Sequence, residues 1–314
     1  MNIFSIVEEL EKIDPELNDR FNPRRSAIKN ITSFGSKVAM AAAPFALGTL
    51  FKRAYGQSVG DVVGVLSFAL KLEYLEYEYY NIGVNTSGLI PVGSGMTALS
   101  TIRDHEASHV AYLKNAIGAT APTRASQGFT VGTQTYYDFS GGNGAAPFAP
   151  TSLDARTQGR GAGPLSGVFD NYDLYLALAQ VFEDTGVRAY KGQAPNLINN
   201  AALAPALRIH SVEARHASHL RQMRRARGLA GATVFPAPVI KPWITGANDT
   251  AIPSSVVGPN YLGEDNTTQG GADLTTLVNI ATGAKFTTNM ITEAFDEPLT
   301  ATQVLPLVTI FGVK

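Results

Sequence analysis

Cysteine is absent from the 314 residues. Disulfides, iron–sulfur clusters, thiolate zinc sites and cysteine nucleophiles are thereby excluded. Charge is scarce too: Asp, Glu, Lys and Arg make up 16% of the chain, against roughly 25% in soluble proteins. The net charge of −1 leaves no basic excess to neutralise phosphates, so nucleic acid is excluded as a partner. The apolar run Val38–Phe51 is short and rich in alanine, below the ~20 residues a spanning helix needs, and no stable membrane span is expected. The glycine-rich stretch SGGNGAAP at 140–147 has no lysine after it and no strand-to-helix setting, so it is no phosphate loop.

What is present begins with an ordered N-terminus. Residues 22–29 read NPRRSAIK, followed by the apolar run and then by the small-x-small step Ala54-Tyr55-Gly56. Basic, apolar and small residues in that order make a secretory signal, and the pair Arg24-Arg25 resembles a twin-arginine signal. Residues 1–57 are therefore expected to be an export signal and linker, which makes the protein periplasmic. The alternative is an amphipathic helix packed on a cytoplasmic protein.

All five histidines sit in two clusters, His105/His109 and His210/His216/His219. Each cluster holds a glutamate followed three residues later by a histidine: Glu106–His109 and Glu213–His216. Positions i and i+3 share a helix face, so each phrase aims a carboxylate and an imidazole at one point. Glu73 precedes Glu106 by 33 residues, Glu183 precedes Glu213 by 30, and a tyrosine follows each upstream glutamate by seven, Tyr80 and Tyr190. The pattern reads as two copies of one helix pair, which together supply six oxygen and nitrogen metal ligands. Glu76 also lies near the buried side, but only Glu73 keeps the spacing to Tyr80 that Glu183 keeps to Tyr190. Glu78 points to solvent. His105, His210 and His219 fall beside the ligand faces and read as core or rim histidines, with an outer-shell role open. Tyr80 and Tyr190 suit either core anchoring or a hydrogen bond to a ligand. The arginines at 221, 224, 225 and 227 read as a solvated face at a helix C-terminus.

Four segments carry a helical apolar stripe with the proposed ligands on it. The first follows Asp61 and runs Leu66, Leu70, Glu73, Tyr77, Tyr80. The second runs Leu99, Ile102, Glu106, His109, Leu113 and ends at Gly118. The third opens near Asp170 or Asn171, runs Tyr172, Leu176, Ala179, Glu183, Gly186, Tyr190 and ends by Gly192. The fourth runs Ala206, Ile209, Glu213, His216, Leu220, Met223 and stops at Gly228. Polar groups on a buried seam are costly unless paired or bound. About 50 residues, 119–168, separate the second helix from the third, with short strands expected at Phe129–Val131 and 136–139. One long crossover between two hairpins is a ferritin-like connection. The expected architecture is an all-α antiparallel four-helix bundle over residues 58–228. Residues 229–314 form an irregular extension packed on it, with helical patterns at 286–295 and 299–311 and a capping box from Thr300 to Gln303.

The segments LKLEYLEYEYY, DHEASHVAYLKNAIG, VFEDTGVRAYKG and SVEARHASHLRQMR, with EAFDEPLTATQVL in the tail, resemble the ferritin-like superfamily. Within it they are most similar to the bacterial ferritin-like domain family related to plant desiccation-related proteins. The resemblance implies two metal ions, iron or manganese, bridged by Glu106 and Glu213. His109 and His216 would each cap one ion, with Glu73 and Glu183 as terminal carboxylates. It implies redox chemistry with a small oxidant, dioxygen or peroxide, as in an oxidase, ferroxidase or catalase-like site. The competing expectation is a structural or desiccation-protective protein without catalysis. Homo-oligomerisation is left open, although long insertions disfavour a closed storage shell.

Overall fold

Four long helices organise the chain in the computed structural model, which describes residues 61–314 apart from 232–233, 236–239 and 248–249. The expected export signal lies outside the described residues. Helix α1 spans Val62–Asn85, α2 Ser94–Ile117, α3 Tyr172–Gln193 and α4 Leu203–Leu229. Helices α1 and α2 pack as one hairpin and α3 and α4 as the other, while α1 against α3 and α2 against α4 close the bundle. The protein is all-α with minor strand: β1 (Phe129–Val131) pairs antiparallel with β2 (Gln134–Tyr136) in the crossover, and β3 (Thr268–Gln269) with β4 (Ala272–Asp273) in the tail. Among the described residues no helix is long and apolar enough to cross a membrane.

Local chemistry sets the helix ends. The Asn171 side chain accepts from the backbone N–H of Asp173 and Leu174, capping α3, a contact worth about 1 kcal/mol. Gly118 ends α2 at φ 80°, a conformation open to glycine at little cost. Two expected stops lie elsewhere. Gly192 sits inside α3, where a Cβ would meet the Leu299 carbonyl oxygen at 1.9 Å, so this glycine admits the crossing tail rather than ending the helix. Gly228 is likewise inside α4, and the chain turns at Gly231 with φ 87°.

The buried residues of α2 are Leu99, Ile102, Glu106, His109 and Leu113, the apolar stripe and its two polar members. Helix α3 differs: nearly every side chain from Leu174 to Tyr190 is buried. A helix buried all round needs cover on the side away from its bundle partners, and tail residues such as Tyr261, Glu264, Leu299 and Phe311 supply it. Three tail helices, α5 (Ser254–Val257), α6 (Thr288–Thr292) and α7 (Ala301–Thr309), belong to this layer, and α7 carries the Thr300/Gln303 capping box.

This cover overturns the solvated reading of the α4 arginines. Arg221 and Arg224 are buried. Arg221 Nη2 donates to Asp184 Oδ2 at 2.8 Å, Tyr261 Oη donates to the same oxygen at 2.6 Å, and Arg224 Nη1 donates to Gln180 Oε1 at 2.5 Å. The α3 face away from the bundle core is polar, and the arginines neutralise and satisfy it beneath the tail. Arg225 remains exposed, and half-buried Arg227 lies over the Tyr172 ring at 4.6 Å. A second buried pair, Arg188 Nε to Glu264 Oε1 at 2.7 Å, ties α3 to the tail. The Arg188 guanidinium also donates to the carbonyls of Asn260, Leu262 and Glu297.

Candidate metal centre

Both hairpins deliver their glutamates and histidines to one place in the bundle core. Donor atoms of Glu73, Glu106, His109 and Glu213 lie within 4.8 Å of one another, as do those of Glu106, Glu183, Glu213 and His216. Glu106 and Glu213 belong to both groups. All four glutamates are fully buried, and the two histidines nearly so. Such a buried carboxylate–imidazole cluster can hold metal ions.

Each histidine turns its Nδ1 to the carboxylates. His109 Nδ1 is 3.1 Å from Glu73 Oε2, 3.0 Å from Glu106 Oε2 and 3.1 Å from Glu213 Oε1. His216 Nδ1 is 3.0 Å from Glu106 Oε1, 3.2 Å from Glu183 Oε2 and 3.7 Å from Glu213 Oε2. One ring nitrogen cannot direct a hydrogen at three oxygens. Glu106 Oε1 and both carboxylate oxygens of Glu213 are accordingly left without a hydrogen bond. Buried acceptors in that condition are rare and costly. Cations placed among these oxygens and the Nδ1 lone pairs would satisfy all of them, so the residues present fit metal ions.

The two tyrosines cross between the halves. Tyr80 Oη donates to Glu183 Oε1 at 2.5 Å, and Tyr190 Oη donates to Glu73 Oε1. Each hairpin thus holds the outer carboxylate of the other. Burial first, then the carboxylate beside it, raises both phenol pKa values well above their ordinary range, which keeps the hydroxyls protonated as donors. Of the paired candidates on α1, only Glu73 enters a ligand group; Glu76 is buried but stands outside both. Gly186 makes room for it, since a Cβ there would meet Glu76 Oε1 at 3.3 Å. Glu78, half-buried, lies 3.7 Å from Arg124.

Protonation follows from burial and crowding. Desolvation raises the pKa of Glu73, Glu76 and Glu183 well above the usual carboxylate range, and neighbouring carboxylates push further. Burial also works against ionising Glu213, but His109 and His216 beside it outweigh burial and hold it below its usual value. Burial opposes the charge of both imidazoles, and the surrounding glutamates reverse this and raise both. At neutral pH the metal-free cluster therefore holds protons that a cation must displace. Manganese(II) titrated into metal-free protein in dilute buffer should release more than one proton per ion. The affinity should rise ~tenfold per pH unit for each proton displaced. Calorimetry in buffers of different ionisation enthalpy measures that number, and pH-independent binding would remove the cluster as the site.

One feature was left open by the sequence pattern and another escaped it. His105, exposed on α2, reaches across to α4, where its Nδ1 lies 2.9 Å from His216 Nε2. Its place directly before Glu106 was the available hint. The Asp184–Arg221 and Arg188–Glu264 pairs gave no local signal beyond the i,i+4 spacing of Asp184 and Arg188. His210 is half-buried, with its Nε2 lacking a hydrogen bond, and His219 is exposed; neither enters a ligand group.

Compared with known protein families, residues 61–226 match the family described as a ferritin-like domain. Neither curated proteins nor solved structures give a match.

Proposed function

Because the chain belongs to the ferritin-like domain family, we propose that its buried cluster is a di-metal carboxylate centre of oxidoreductase type, holding iron or manganese and using dioxygen or peroxide. The observation that carries this reading is the sharing of Glu106 and Glu213 between two ligand groups, with three of their four oxygens lacking any hydrogen bond. Oxygen donors with one imidazole per position suit iron and manganese better than copper.

Glu106 and Glu213 would bridge. Glu73 with His109, and Glu183 with His216, would complete the two positions. Four carboxylates balance the charge of two divalent cations, which removes the penalty of a net charge in a low-dielectric core. When bound, such a pair of ions supplies redox equivalents to a small oxidant. Tyr80 and Tyr190 fix the outer carboxylates and limit how far these can swing. The aromatic and aliphatic packing around Tyr79, Tyr80 and Tyr175 excludes bulk water from that side of the cluster.

Purified full-length protein analysed for metal, then assayed for dioxygen and peroxide consumption, tests the reading. About two iron or manganese ions per chain, with turnover lost on chelation, are expected for a two-metal site. Stable, metal-free protein that takes up neither ion and turns over nothing would instead support a structural, stress-protective role.

A further inference from the structure

His105 makes the two halves of the cluster unequal. Its ring lies 14° from the plane of the His216 ring, with centroids 5.2 Å apart. That separation is near the largest that a 2.9 Å nitrogen contact permits between two five-membered rings. The rings therefore meet edge to edge, nitrogen facing nitrogen, rather than face to face. A single hydrogen occupies the contact. His216 presents Nδ1 to Glu106, Glu183 and Glu213, so a lone pair there for a cation requires the ring hydrogen on Nε2. His216 Nε2–H then donates to His105 Nδ1, and the His105 hydrogen sits on Nε2.

The other half has no such arrangement. Glu106–His109 and Glu213–His216 are repeats of one phrase, and the position equivalent to His105 is Val212, which offers no acceptor. Among the described residues, the polar contacts of His109 run through Nδ1 alone.

We propose that His105 is a positioning residue for the His216 metal position only, fixing the tautomer and angle of His216 through the Nδ1···Nε2 hydrogen bond, so that this position binds its ion more tightly than the His109 position. The inference rests on the di-metal reading. An outer-shell partner on a ligating imidazole is worth ~10–100-fold in metal affinity.

The test uses cobalt(II) titrated into the metal-free full chain, followed by calorimetry and visible absorption. Wild type should show two binding steps of unequal affinity. His105→Val, which copies the Val212 side, should weaken one step ~10–100-fold and leave the other in place. The spectrum of the affected ion should change, while the metal-free melting temperature should not. His105→Gln, which keeps an acceptor, should recover most of the lost affinity. Wild-type steps and spectrum in His105→Val would overturn the proposal and leave the di-metal reading standing. So would equal weakening of both steps with a lower metal-free melting temperature. Wild type that binds no cobalt would remove the di-metal reading, and this inference with it.

Discussion

Glu213→Gln should lose both metal ions, whereas Glu73→Gln should lose only one. Glu213 stands in both ligand groups and Glu73 in one. Glutamine keeps the volume but removes the charge, and an amide nitrogen cannot coordinate beside its oxygen. Each ion at the cluster would then lack a bridging donor, a loss larger than the ~10–100-fold expected for an outer-shell contact. Metal analysis after dialysis against dilute manganese(II) should give none for Glu213→Gln and about one per chain for Glu73→Gln, as expected when one of two metal positions survives. Retention of one ion by Glu213→Gln would mean that Glu213 is terminal and that the bridge has been assigned to the wrong residue.

Arg188→Met should be among the most destabilising single changes in the chain. Arg188 and Glu264 are both fully buried and 2.7 Å apart. Removing the guanidinium strands a buried carboxylate, a loss of about 3–5 kcal/mol, and also frees three tail carbonyls. Burial pushes Glu264 up to about 7, with Arg188 opposing the rise. A folded-state pKa raised above the unfolded one contributes stability that is present below about 4.5 and lost as pH climbs through about 7. Without Arg188 the opposing influence disappears and the pKa rises further. The defect in Arg188→Met should accordingly be smallest near pH 5 and grow toward pH 8, as read from denaturant midpoints. A uniform loss across that range would mean that lost packing, and not the stranded carboxylate, sets the cost.

The features legible in the sequence were those that neighbours along the chain decide. The α2 stripe, the Gly118 stop, the Thr300 capping box and the strand at Phe129–Val131 all follow from periodicity or a local hydrogen bond. The internal repeat also separated Glu73 from Glu76, because only one of them keeps the tyrosine spacing. Arg221 and Arg224 misled for the opposite reason. A charged side chain reads as solvent-facing until its partner is known, and their partners on α3 and in the tail lie 11–44 positions away. The direction in which His105 points was equally hidden, since it depends on how α2 meets α4.

The tail also reaches back to the crossover: Lys314 N–H donates to Gln127 Oε1 at 2.8 Å, and Gly128 N–H donates to the Gly312 carbonyl at 2.7 Å. Contacts across so many residues form late, because the intervening loop must first give up its entropy. During synthesis the first hairpin emerges with Glu73, Glu106 and His109, half of a donor set, and α3 follows with its outer face still uncovered. That face is sealed only when the tail segments carrying Tyr261, Glu264 and Leu299 dock on it. The six candidate donors all come from α1 to α4, so the tail bears on the cluster through α3, whose outer face it covers.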